Sequence, residues 1–245
     1  MGRCRLLALA LIALAGLGLA RGARAHTGGA EHDPLERFNR AMFWFNDRLD
    51  VYAIEPAAKA WDAVLPDRVQ RSLSNFFDNL RFPVLLMNDL LQGKGNAAAI
   101  DYTRFMVNTT IGLAGFFDPA TPLGLPKQNE DFGQTLGKWG VEPGPYLVMP
   151  ILGPSNPRDL VGSGVDSVFA VYPWVVEFPY TIVSRAVDIV NFRSLVLDDV
   201  REAKAASVDY YAAVRAAYTQ RRERLINDGI ELSPEQQQDL YQVEE

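Results

Sequence analysis

The chain has 245 residues, 48% of them hydrophobic, with 24 basic and 30 acidic side chains, a single cysteine and two histidines. A chain that acidic is a poor partner for nucleic acid, whose phosphates demand Lys/Arg patches. Its length fits one large domain or two small ones, with room for a sizeable core that needs no covalent staples.

The first twenty-five residues stand apart. Arg3 and Arg5 make a basic start, Leu6 to Ala20 is an unbroken run of apolar and glycine residues, and Ala23-Arg24-Ala25 is a small-x-small cleavage site. The run is shorter than the roughly 20 residues a transmembrane helix needs. Residues 1–25 are therefore predicted to be a cleaved secretory signal peptide, cut between Ala25 and His26. Four arginines and no acids leave with it, so the remaining 220 residues carry a net charge of −10. Cys4 leaves too, which excludes disulfides, thiolate catalysis and thiolate metal sites. Both histidines, His26 and His32, lie in the polar start HTGGAEHD, a flexible segment over 26–32. Ser-His-Asp and Cys-His chemistry and His-ligated metals are thereby removed. No cofactor is expected: GVEPGPY lacks the Lys-Ser/Thr of a phosphate-binding loop, and no GxGxxG follows a strand.

In chain order, DPLERFNRAMFWFNDRLD (33–50) reads as an amphipathic helix. Leu35, Phe38, Met42, Phe45 and Leu49 share one stripe, the spacing with which a helix buries a face. Asp33 is placed as N-cap, Pro34 at the first helical position, and Glu36 four residues before Arg40. Trp44 and Val51 point the other way and Phe43 lies on a flank, leaving aromatics where water is expected. Pro56 to Val64 is a short helix, and Pro66 opens another with Val69, Leu73, Phe76, Phe77 and Leu80 on one face. Pro83 opens a helix that Gly93 ends; Asn96 caps the next, which Asp118-Pro119 closes.

Residues 118–157 carry Gly or Pro every few positions, with a short helix in DFGQTLGKWG and an extended piece in YLVMPIL. Loops of that length inside a domain are uncommon unless functional. Helices return over Arg158–Phe169 and Pro173–Phe192. The last element opens at Asp198-Asp199 and closes at Arg221, Arg222 and Arg224, with Gly229 as its C-cap glycine. Val200, Ala203, Tyr210, Tyr211, Val214, Tyr218 and Leu225 make its stripe, predicting one rod of about 30 residues and about 45 Å. An acidic polar tail follows over 230–245. Residues 33–229 thus read as a single all-α domain.

No segment after the signal has the length and apolarity to span a bilayer conventionally. Aromatics nevertheless cluster on the short helices, at Phe43-Trp44-Phe45, Phe76-Phe77, Phe116-Phe117 and Tyr172/Trp174. Two arrangements satisfy this pattern: helices lying in a bilayer or packed as a ring inside one, or a soluble core with helices sandwiched on both faces.

DPLERFNR (33–40), TRFMVNT (103–109) and FGQTLG (132–137) are the most specific parts of a longer series of motifs. In that order they resemble the MlaA (VacJ) family of Gram-negative bacteria, over most of 33–229. The resemblance implies short amphipathic helices arranged as a membrane-embedded ring around an amphipathic channel, facing the periplasm from the outer membrane. It implies a non-enzymatic route by which phospholipid leaves the outer leaflet for a periplasmic lipid-carrier protein, in association with an outer-membrane porin trimer. Phe38, Asn39, Met42, Phe43 and Trp44 become candidate lipid-path or membrane-contact residues. The chain departs from the family at the lipobox: Leu14-Ala15-Gly16 is followed by Leu17 rather than by an acylated cysteine. Ordinary signal-peptidase cleavage, with no lipid anchor, is the expectation.

GKWGVEPGPY holds the densest glycine-proline cluster. Gly137, Gly140 and Gly144 are candidate gate residues because glycine takes φ > 0 cheaply, while Pro143 and Pro145 stiffen the loop. The same composition suits a plain connecting turn. Two other functions compete with transport: a porin-associated structural scaffold, and a periplasmic hydrolase using Glu130 and Asp131, or Asp101.

Overall fold

The computed structural model describes residues 33–170 and 176–228. The expected signal peptide, the Ala25–His26 cleavage site, the segment 26–32, Tyr172, Trp174, Gly229 and the tail 230–245 lie outside the described residues.

The expected all-α class holds. Helix α1 (Glu36–Leu49) runs without a break through a π-helical turn (Asp50–Ile54) into α2 (Glu55–Val64). α3 (Asp67–Leu80), α4 (Phe82–Leu91) and α5 (Gly95–Thr110) follow. After a long connection come α6 (Phe132–Lys138) and a hairpin of β1 (Leu147–Met149) and β2 (Gly153–Ser155). The chain then forms α7 (Pro157–Phe169), α8 (Phe178–Leu195), α9 (Leu197–Ala206) and α10 (Tyr210–Ile226). Proline punctuates the starts as its missing N–H dictates. Pro66 caps α3, and Pro83, Pro157 and Pro179 sit in first turns, where no intrahelical donor is required.

Five boundaries differ from the sequence reading. α1 starts at Glu36 rather than at Asp33-Pro34, although the Glu36–Arg40 pair forms at 2.7 Å. α5 begins at Gly95, with Asn96 inside it, and stops at Thr110 instead of running to Asp118. The reason is tertiary: Asp118 folds back to accept two hydrogen bonds from Arg104 (3.0 and 2.9 Å) and one from Asn108 (3.0 Å). The backbone reverses through left-handed Leu113, Ala114 and Gly115 to let it. α8 starts at Phe178 and extends to Leu195.

The C-terminal rod is two helices. Ser207 turns extended, and Asp209 caps a fresh helix by accepting from the Ala212 N–H at 3.1 Å. The left-handed residue that ends α10 is Asp228 (φ 56°), one position before the expected glycine.

Packing follows a circuit. α2 packs on α8, α8 on α3, α3 on α4, and α4 on α6 and α7; α10 packs on α6 and β2, β1 packs on α1, and α1 returns to α2 through the π turn. The seams are polar. Asn191 of α8 donates to the Gln70 carbonyl (2.9 Å) and Ser74 (3.0 Å) on α3 and accepts from Trp61 of α2 (3.1 Å). Arg193 of α8 holds the π turn through Asp50 at 2.8 and 3.1 Å.

Burial is inverted relative to a water-soluble domain. The fully buried large side chains are mainly polar: Gln70, Gln134, Asn39, Asn88, Asn191, Thr135 and Asp89, with Val148 the apolar exception. Meanwhile Trp44, Phe117, Phe178 and Phe192 stand 56–77% exposed. Among the described residues, no helix is long and apolar enough to cross a membrane.

Candidate functional site

The five α1 residues singled out in the sequence separate in space. Asn39 is fully buried and bonds the free edge of β1: its amide donates to the Tyr146 carbonyl (2.9 Å) and its oxygen accepts from the Val148 N–H (2.8 Å). Two turns on, Asn46 repeats the arrangement, donating to the Met149 carbonyl (2.9 Å) and accepting from the Ile151 N–H (2.7 Å). A side-chain amide carries one acceptor and two donors, so each asparagine takes the place of a neighbouring strand. The edge that would otherwise invite pairing is closed. Asn39 thus serves as an anchor for the hairpin.

Asn46 also holds Ile151 in the left-handed region (φ 68°), a conformation a β-branched residue avoids unless its surroundings enforce it. The hairpin tip, Ile151 and Leu152, is apolar and exposed.

Phe43 turns inward, edge-on to Tyr210 and Tyr211 at 5.5 Å each, while the Arg40 guanidinium lies 4.4 Å over the Tyr211 ring. Met42 is half-buried; Phe38 and Trp44 are exposed. The stripe expected to bury α1 is therefore corrected. Leu35, Phe38 and Phe45 are largely outside, and the face turned in is the one bearing Asn39 and Phe43. The helical period holds, but the inward face is rotated by about a quarter turn toward Asn39, Phe43 and Asn46, with Met42 and Leu49 at its edge and Trp44 still outside.

Residues 118–157, which carried the loop signal, are tied down by a buried ionic network. Asp131 caps α6 by accepting from the Gln134 N–H (2.9 Å). Arg222 of α10 donates to both Asp131 oxygens (2.6 and 3.0 Å) and to Asp159 of α7 (3.0 Å). Tyr218 donates to Asp159 at 2.5 Å, and Asn156 caps α7 at the Asp159 N–H (2.8 Å). Burial works to raise the Asp131 carboxyl, yet the Arg222 guanidinium holds it below the ordinary carboxylate range. Burial and the hydrogen bond to Asp159 push the Tyr218 phenol well up.

Of the carboxylates offered for hydrolysis, the adjacent pair is committed elsewhere. Glu130 is buried and takes Lys94 (2.9 Å) and Gln92 (2.8 Å), while Asp131 belongs to Arg222. The two adjacent acids diverge into separate pairings.

The three glycines also divide. Gly140 (φ 82°) is the residue after the α6 cap: its N–H donates to the Gly137 carbonyl (3.0 Å), and Val141 donates to the Leu136 carbonyl (2.9 Å). Those two bonds close a helix end with glycine in its usual place. Gly144 (φ 71°) lies against the Pro157 ring, where an added Cβ would come within 3.2 Å. Gly137, in contrast to the expectation of φ > 0, is an ordinary helical residue; it is small because Ile226 approaches, 2.9 Å from where a Cβ would stand. Sequence reasoning missed Arg222, Asp159 and Asn46, since nothing local marks a charge or amide whose partner is 59 to 105 residues away.

A closed circuit of short helices, polar in its seams and apolar on its surface, with a two-stranded hairpin clamped to the first helix, defines the class. The family model described as "MlaA lipoprotein" matches residues 31–225. The chain belongs to that family. It is 38% identical over 205 residues to the intermembrane phospholipid transport system lipoprotein MlaA of Haemophilus influenzae, covering 81% of this chain and 80% of that protein. It is 34% identical over 247 residues to the protein of the same description from Escherichia coli K12, covering 99% and 96%. A solved structure described as "Structural basis for maintenance of bacterial outer membrane lipid asymmetry" superposes with a TM-score of 0.72 at 34% identity. That match covers 80% of this chain and the whole of the other.

Proposed function

We propose that this protein is the outer-membrane component of a phospholipid transport pathway: it takes phospholipid mislocalised in the outer leaflet and passes it to a periplasmic carrier, maintaining lipid asymmetry. The observation that carries the reading is the inverted burial. Large apolar side chains such as Trp44 and Phe178 line the surface while asparagine, glutamine and aspartate fill the seams. In water such a surface is a liability. Against acyl chains each buried Å² of it contributes about 25 cal/mol, and helices too short to cross lie in the interface.

On this reading the circuit is a ring seated in the membrane around a lipid path, and the protein is a conduit rather than an enzyme. Phe38 and Trp44 contact lipid or a porin trimer, Met42 borders the path, and the Gly140–Gly144 connector is its gate. The family names and the outer-membrane description of the solved relative support the transport role.

The test is a null strain. Outer-leaflet phospholipid should accumulate, with sensitivity to detergent and chelator, and expression of this chain should restore the barrier. A null with normal lipid asymmetry would favour a porin-associated scaffold instead.

A further inference from the structure

α4 and α5 press two carboxyl groups together inside the protein. Asp89 of α4 is fully buried and Asp101 of α5 nearly so. Among the described residues no donor reaches either oxygen of Asp89 or the Oδ2 of Asp101. The group that faces Asp89 is the Asp101 carboxyl itself.

The surrounding charges offer no relief. Lys94, in the turn between the two helices, is bonded to Glu130 (2.9 Å) and to Asp228. Arg104, one turn along α5, is occupied by Asp118. Asp101, Asp78, Arg81, Arg104, Asp118 and Lys127 line one cavity of about 50 Å³. In it Lys127 is taken by Asp78 (2.6 Å) and Arg81 bonds Asn129 (3.3 Å). Toward α6 the facing acid is Glu130, and from α7 Asp166 reaches α4 by accepting from Asn88 at 2.9 Å. Two buried carboxylates with no donor between them cannot both be ionised at low cost.

We propose that Asp89 and Asp101 are a buried acid–carboxylate pair sharing one proton, and that loss of this proton as the pH rises weakens the α4–α5 seam. Burial, then the neighbouring Asp101 and Glu130 charges, push the Asp89 carboxyl above the usual carboxylate range, and burial and Glu130 raise that of Asp101. An unfolded aspartate titrates near 4. Above that value the folded pair binds more protons than the unfolded one, so the pair's contribution to stability is fully present below about pH 4 and is lost as the pH rises through the raised folded values. The proposal does not depend on the transport reading.

The test uses the signal-cleaved protein in detergent, with thermal unfolding at about pH 5 and about pH 8.5. The wild type should lose several degrees of Tm at the higher pH, about 4 °C or more for a chain of this size. Asp89→Asn, an isosteric neutral donor, should flatten that dependence and melt above the wild type at the higher pH. Infrared spectra should show a protonated carboxylic-acid band near pH 6 that Asp89→Asn removes and the exposed control Asp198→Asn retains. The proposal is overturned if Asp89→Asn keeps the wild-type pH dependence, or if the acid band survives in both Asp89→Asn and Asp101→Asn. If Asp89→Asn fails to fold, Asp101→Asn carries the same two readouts.

Discussion

Arg40 on the first helix donates two hydrogen bonds, 3.2 and 2.6 Å long, to Asp209, the residue that caps the last helix. The pair joins α1 to the start of α10. It also explains why the C-terminal rod breaks where it does: a carboxylate engaged both by a guanidinium and by the Ala212 N–H is better placed outside a helix than within one. Both side chains are more than 40% exposed, so the ion pair itself is discounted to at most about 1 kcal/mol. Asp209→Ala should cost about 1 kcal/mol, chiefly through the lost cap. Arg40→Ala should cost less, and a double-mutant cycle by denaturant unfolding in detergent should return a coupling below about 1 kcal/mol. A coupling several times larger would show that the pair is desolvated in the membrane.

The asparagine clamps carry more. Asn39→Ala strips the buried Val148 N–H and the Tyr146 carbonyl of their partners at once, at about 1–3 kcal/mol per orphaned group. Asn46→Ala, at a half-buried site, should cost less because water can replace it. Asn39→Asp removes the donor to Tyr146 and should be worse than Asn46→Asp. Equal losses at the two positions in equilibrium unfolding would contradict this ranking.

The exposed aromatics are predicted to hold the protein in the membrane. Wild-type protein should remain in the membrane fraction after high-salt and carbonate washes. Trp44→Glu combined with Phe178→Glu, which changes two exposed positions and leaves the polar seams intact, should be partly released while remaining folded. Complete release of the wild type would show that these side chains do not contact lipid.

The glycine connector separates gate from scaffold. Gly140→Ala places a Cβ in open space but in the left-handed region, costing about 1 kcal/mol. Gly144→Ala adds a contact with Pro157 to the same strain. Gly137→Ala drives a Cβ into Ile226 and should loosen α6 from α10. If the connector gates lipid passage, Gly144→Ala should reach the membrane at normal abundance yet leave cells detergent-sensitive. Abundance and barrier function falling together, or neither changing, would make it a connector only.

Processing should leave His26 as a free amino terminus, since Ala23 and Ala25 suit the ordinary signal peptidase and Leu17 stands where the lipobox cysteine would be. Intact-mass measurement checks this, and a diacylglyceryl adduct would overturn it.

Sequence by itself determined what local chemistry controls: proline in the first turns of α4 and α7, and the order of the elements. It also supplied the aromatic clusters that raised the membrane question and the motifs that carried the family resemblance. The extended piece in YLVMPIL was legible, whereas its β2 partner GPS was not, because three residues that include a glycine and a proline show no strand pattern. The π turn was not read from the sequence either, and the contact that Arg193 makes with its Asp50 comes from a helix far along the chain. Of the site, Trp44 is exposed opposite the predicted stripe, whereas Phe38 left the stripe expected to be buried, and the role of Asn39 rests on hydrogen-bond partners more than a hundred residues away. Only tertiary structure decided which side of each helix faces inward. Periodicity reports that a helix has two unlike faces, but which of them is buried depends on whether the surroundings are water or lipid, and on distant polar partners such as Asn39 with β1 and Arg222 with Asp131.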